Sequence, residues 1–315
     1  MAFEIRKISD VGVGHPVVAR LGVQASDLIT WIDIEDAKRK ELAEVYARTL
    51  KERLLRCHRF RDDLVKLINA SVETKRPPQN DKRIREVPHV IGLQGIAEGF
   101  LYEAKNYLRD LLNLFRIVYG CKLTDAGAFT NLKGDGDSEI VTWAASTFGL
   151  DGDLTKLLRT EQEWVAEPIR MRNAVEHPGG LSGTLTLNNI RIDPNQPDSY
   201  IPPTWARTGR PDSNIVKDMD CGLDNMLTLA EDLLVSVVMD KSKSKKLITV
   251  FEIPSEDRDP KCPIRLRVGP SPEVLGQLPA QKPPPPVKNE GRQLSGKQLL
   301  RQQDRAWREK KKRKN

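Results

Sequence analysis

The feature that most constrains the fold is a broad apolar stripe between residues 89 and 119. Leu93, Ile96, Ala97, Phe100, Leu101, Ala104, Leu108, Leu111, Phe115 and Val118 recur mostly at three- and four-residue steps, the repeat of one helical face. A stripe this wide predicts a central helix covered on several sides, as in a bundle. Residues 34–72 carry Ala43, Tyr46, Leu50, Leu54, Phe60, Leu64, Leu67 and Ile68 at similar steps, and read as a long helix or a kinked pair with Asp33 as N-cap. The Pro- and Asn-containing stretch from Lys75 to Asp81 ends that element. Residues 138–148, 154–177 and 212–240 read as further helices. The last carries Ile215, Met219, Leu223, Met226, Leu227, Ala230, Leu233, Leu234 and Val238.

The strand signals are small by comparison. Ala2 to Ile8 alternates loosely and suggests a short strand. Thr184–Leu187 and Ile190–Ile192 alternate about Asn188-Asn189, which predicts a β-hairpin over about 183–193, because Asn tolerates the positive φ of a tight turn. Leu247–Ile253 and Ile264–Val268 are two more strand-like segments, which can join the hairpin in a small sheet packed on the bundle. The predicted organisation is a strand/loop segment over 1–33, a helical bundle over 34–245 with the hairpin inserted, short β segments over 246–270, a Pro-rich linker over 271–287 and a basic tail over 288–315. The run Pro283–Pro286 favours extended, solvated chain. The tail has few apolar residues, so it is disordered alone or helical on a partner.

Charge separates the two regions. The net +7 divides into +8 on residues 288–315, where eleven Lys and Arg face Glu290, Asp304 and Glu309, and −1 on all the rest. A nucleic-acid or acidic-protein partner read from charge is therefore a partner of the tail, through Arg301, Arg305, Arg308, Lys310, Lys311, Lys312, Arg313 and Lys314, with Trp307 available to stack on a base. The cluster Lys310–Lys314 would also serve as a nuclear localisation signal in a eukaryote. The N-terminus has no apolar leader and no run suits a membrane helix, so the expected location is cytoplasmic and no membrane partner is expected. The four cysteines, Cys57, Cys121, Cys221 and Cys262, lie at least 41 residues apart. That spacing suits neither a metal site nor a disulfide framework, and they read as reduced thiols, mostly core filler. No metal or other cofactor is expected.

Most motif-like stretches have plain readings. Gly134 to Glu139 lacks the full calcium-loop pattern and reads as a loop that caps the next helix through Asp137 or Ser138. His58, within Arg56–Arg61, reads as part of a solvated basic face. His15 and His89 each adjoin a proline and have no evident partner.

The segment from Trp164 to Gly180 is different. Pro168 sits where a first-turn proline can start or kink a helix, while Pro178 and Gly179-Gly180 end it. At about 100° per residue, Arg170, Asn173 and His177 fall within an arc of about 60°, and Trp164, Val165, Met171 and Val175 lie on an opposing apolar arc. Arg172 projects along the apolar side, which is costly for a guanidinium unless it finds an acceptor or an interface. His177 falls at the C-terminal, negative end of the helix dipole, and histidine is the side chain that most readily changes charge near neutral pH. A histidine of this kind can transfer protons, and a nearby arginine can hold a phosphate and stabilise its developing charge. Together they suffice for attack of a ribose 2′-hydroxyl on the adjoining phosphodiester. The same residues also permit a plainer arrangement, in which Arg172 pairs with Glu176 at i, i+4 and His177 merely caps the helix.

The sequence Arg172-Asn173-Ala-Val-Glu176-His177 resembles the Arg-x4–6-His signature of the HEPN superfamily, in its Arg-Asn-x3-His form. The resemblance is tight over these six residues and loose over the bundle from 34 to 240. It implies a HEPN-like bundle of four or five helices and metal-independent endoribonuclease activity, of the kind found in toxin–antitoxin and other defence or stress systems. It also implies a homodimer with two motifs facing each other. Arg172 and His177 would take the catalytic positions and Asn173 the polar position after the arginine, with Glu176 and Arg170 supporting. The implied partners are RNA and an antitoxin. The alternative is a non-catalytic helical interaction protein that binds nucleic acid or an acidic partner through its tail, or a scaffold whose tail only targets or solubilises it.

Overall fold

The structure is a computed structural model that describes residues 11–73, 87–131, 136–196, 199–244, 246–272 and 274. The chain divides into two compact units, Met1–Pro272 and Glu273–Asn315. All that follows belongs to the first unit. The predicted strand over Ala2–Ile8, the break after residue 74, the Pro-rich linker beyond 274 and the basic tail lie outside the described residues.

The first unit is mainly helical, with small antiparallel sheets. Its helices are α1 (Pro16–Val18), α2 (Ala25–Thr30), α3 (Asp36–Glu44), α4 (Lys51–Glu73), α5 (Leu93–Leu111), α6 (Asn113–Tyr119), α7 (Glu139–Phe148), α8 (Asp153–Glu176) and α9 (Ile215–Lys241). Two π-helical stretches, Ala19–Gln24 and Val45–Leu50, join α1 to α2 and α3 to α4. The strands are β1 (Leu185–Asn188), β2 (Arg191–Ile192), β3 (Tyr200–Ile201), β4 (Thr204–Arg207), β5 (Ser213–Asn214), β6 (Ile248–Glu252) and β7 (Leu266–Pro270).

Helix α5 takes the central place its stripe predicts. It packs against α4, α8 and α9, and Ala97, Ala104, Tyr107, Leu108 and Leu111 are sealed from solvent. Two buried tyrosines tie the bundle to α9: the Tyr46 hydroxyl donates to the Ala230 carbonyl and the Tyr107 hydroxyl to the Met226 carbonyl, each at 2.9 Å. Each ring thus contributes apolar area while its polar end is satisfied. Gly99 lets α4 approach α5, since a Cβ there would stand 2.6 Å from the Phe60 ring.

Several sequence expectations need correction. Residues 16–30 are helical rather than strand or loop, and Val17, Leu21, Leu28 and Ile29 enter the core. Asp33 does not cap α3. Glu35 stands at that position, and Asp33 instead pairs with Lys243 at 2.7 Å. The stripe of 89–119 belongs to two helices, broken at Leu112, where Asn113 Nδ2 of the side chain donates to the Asp110 carbonyl, an acceptor of the regular ladder. Pro168 does not start a helix but lies inside α8, the position left by the kink alternative. Ser138 occupies the N-cap of α7 without a capping bond, and Asp137 pairs with Arg159 at 2.9 Å.

The hairpin expected over 183–193 does not form. Strand β1 pairs with β4 and β2 with β3, both antiparallel, and the Asn189 side chain bonds to the chain before α5. Its Oδ1 accepts from the Val90 amide and its Nδ2 donates to the Val90 carbonyl, both at 2.9 Å. Strands β6 and β7 pair with each other and not with the other strands. Cys57 and Cys121 are core residues as expected, whereas Cys221 is exposed and Cys262 half-buried. Among the described residues, no helix is long and apolar enough to cross a membrane.

Candidate functional site

Helix α8 begins with Asp153 in its first turn and stops at His177, whose φ of −133° and ψ of 69° leave the helical region. The stop follows from sequence. Pro178 cannot continue the ladder, and Gly179 takes a φ of +78°, a left-handed turn that costs glycine little. The Gly179 amide then donates to the Gly183 carbonyl at 3.1 Å, folding the following loop back on itself.

The last two turns of α8 lie against α5. Arg172 is largely buried, its side chain 17% exposed, and its Nη2 lies 3.2 Å from Glu176 Oε1. Its guanidinium carbon stands 5.5 Å from the centre of the exposed Tyr102 ring, a cation–π contact. The buried Nε has no hydrogen-bond partner among the described residues. From α5, Lys105 Nζ donates to Asn173 Oδ1 and to Glu176 Oε2, both at 2.8 Å. Partial burial disfavours the Glu176 carboxylate, but the Lys105 hydrogen bond and the charges of Lys105, Arg172 and His177 outweigh it. The carboxyl therefore sits below its ordinary range. Arg170 donates to the Asn131 carbonyl at 3.3 Å, a neutral acceptor. The exposed His177 imidazole has no hydrogen bond among the described residues.

The sequence-predicted residues are thus partly assembled. Arg172, Asn173 and Glu176 form one cluster, while Arg170 is held apart by Asn131 and His177 stands free at the helix end. The i, i+4 pair of Arg172 with Glu176 is present, and the acceptor that Arg172 needs on its apolar arc is therefore Glu176. Sequence reasoning missed Tyr102 and Lys105. Lys105 is 68 residues from Asn173, and no local spacing links them. The only trace is that Lys105 falls at the edge of the apolar stripe of α5, whereas Tyr102 lies on the face opposite it. Within this bonded set Glu176 is the one carboxylate facing Arg172 and Lys105, so the cluster can accept a further anion. A groove of about 280 Å³ runs alongside, lined by Gln94, Glu98, Val175, Pro178 and Leu187.

Three further features lie elsewhere. Glu231, only 1% exposed on α9, accepts from Arg20, Gln24 and Arg265. His15 and His58 meet edge-on at 4.9 Å, so His58 is half-buried rather than on a solvated basic face. His89 also has a partner, the Asn189 amide at 3.3 Å. A hollow of about 260 Å³ between α5, α8 and α9 is lined by Trp164, Pro168, Met171, Trp205, Cys221 and Met226. Comparisons with family models, curated proteins and solved structures returned no match for this chain.

Proposed function

We propose that this chain is a HEPN-type, metal-independent endoribonuclease that acts as a homodimer, with Arg172 and His177 as its catalytic residues. The observation that carries the reading is the contrast between these two side chains at the end of α8. The guanidinium is desolvated, with an unmet Nε donor, and the imidazole is exposed and unbonded. In the proposed step His177 removes the 2′-hydroxyl proton, O2′ bonds to phosphorus, and the P–O5′ bond breaks. The 5′ oxygen takes its proton from the imidazolium of a second copy of the chain across a two-fold site. Arg172 stabilises the charge that builds on the phosphoryl oxygens. The products are a 2′,3′-cyclic phosphate and a 5′-hydroxyl.

One observation favours a second reading. Both Arg172 and Lys105 are engaged with Glu176, as in a purely structural helix clasp. In that case the chain is a non-catalytic interaction protein whose basic tail holds nucleic acid or an acidic partner. An RNA-cleavage assay in EDTA separates the two. Wild type should cleave, and a folded His177→Ala chain should lose on the order of 10²–10⁴ in rate. An unchanged rate in that variant refutes the catalytic assignment. No cleavage by wild type across several RNA classes selects the second reading. Light scattering at tens of micromolar should give a dimer, and a monomer there refutes the two-fold site.

A further inference from the structure

We propose that Lys105 is a phosphate-binding residue of this site, and that the Glu176 carboxylate sits in the seat that an RNA phosphate takes. Two cations from different helices converge on one carboxylate. Lys105 on α5 reaches Oε2 at 2.8 Å, and Arg172 on α8 faces Oε1 at 3.2 Å. One anion with an oxygen toward each of two cations is also how a phosphodiester is held. The arrangement is incomplete for a carboxylate alone. The buried Arg172 Nε is unpartnered, and a phosphate, with more acceptor directions than a carboxylate, can take up that donor. Tyr102, about half exposed with Arg172 over its ring, offers a stacking face beside the seat. Glu176 itself is about one-third exposed at the end of α8, next to the Pro178-Gly179 stop, so it has solvent to swing into. Binding is then an exchange of anions. RNA displaces Glu176 from Lys105 and Arg172, and the closed cluster is the resting form.

The inference rests on reading 172–177 as an RNA site, but its test measures binding rather than cleavage, so the two can fail separately. The probe is a single-stranded oligonucleotide with 2′-deoxy sugars throughout, which cannot be cleaved by 2′-hydroxyl attack. All variants are full-length chains, so the tail contributes equally to each. Partly exposed ion pairs are worth little individually, so Glu176→Gln should tighten binding by about three- to tenfold. Lys105→Ala combined with Glu176→Gln should abolish that gain. Unchanged or weaker binding in folded Glu176→Gln overturns the proposal, as does a gain that survives loss of Lys105. If Glu176→Gln does not fold, the exchange is read in wild type labelled with 13C-glutamate. Adding the same oligonucleotide should move the Glu176 carboxyl resonance, and a stationary signal overturns the proposal.

Discussion

Replacing Glu231 with alanine tests what holds the bundle and the β6–β7 pair to each other. Glu231 is almost wholly buried on α9 and is met by three side chains. Arg20 Nε donates to Oε1 at 2.7 Å, Gln24 Nε2 to Oε1 at 2.6 Å, and Arg265 Nε to Oε2 at 2.9 Å. Gln24 also accepts from the Arg265 and Leu266 amides at 2.6 and 2.7 Å, which anchors the start of β7. Glu231→Ala would leave the buried Arg20 guanidinium without its anion. Breaking a buried pair from one side costs about 3–5 kcal/mol. At roughly 2–4 °C per kcal/mol for a unit of this size, the melting temperature should fall by about 6–20 °C. The control is Glu41→Ala, which removes a pair with Arg116 at 2.6 Å where both side chains are over 40% exposed. That change should cost less than about 1 kcal/mol. The assay is denaturant and thermal unfolding of the full chain followed by circular dichroism. If the two substitutions cost the same, the buried network does not carry the load assigned to it.

Two further outcomes follow from titration and from charge. Burial disfavours the charged His58 imidazole, the neighbouring His15 and Arg61 oppose it further, and Asp62 and Asp220 only partly compensate. Its pKa is therefore pushed down to about 4, and burial lowers His15 as well, against the pull of Asp62. From the ordinary value of 6.5 down to about 4 the unfolded chain binds protons that the folded one refuses. Stability should therefore fall as pH drops through that window and be unaffected by these groups above it. His58→Gln should flatten the slope, and an equally steep slope in that variant contradicts the assignment. Deleting residues 288–315 should remove most salt-sensitive nucleic-acid binding. If the tail meets about six phosphates, affinity of the full chain should drop on the order of a thousandfold between 50 and 200 mM salt. A truncated chain that binds RNA as tightly would place the main binding surface in the first unit.

The sequence alone determined the helical character of this protein and the placement of most long helices, because burial on a helix leaves a repeat that single residues carry. The stripes of α4, α5 and α9 and the Pro178-Gly179 stop of α8 are of this kind, as is the i, i+4 spacing of Arg172 and Glu176. The short helices before residue 31 escaped because the π-helical stretch from Ala19 to Gln24 breaks the usual period, and the buried face there is shared with Arg20 and Gln24. Strand pairing was decided by tertiary structure. Two short alternating segments fit a hairpin as well as they fit other partners, and the partners they take, β4 and β3, lie further along the chain, while Asn189 bonds to Val90, 99 residues away. The candidate site divides in the same way. Arg172, Asn173 and Glu176 were legible because one helix holds them in register, and the place of His177 because Pro178 and Gly179 end that helix just after it. Lys105 and Tyr102 were not, since only the packing of α5 on α8 brings them to the cluster, and a contact between distant segments leaves no periodic trace in either.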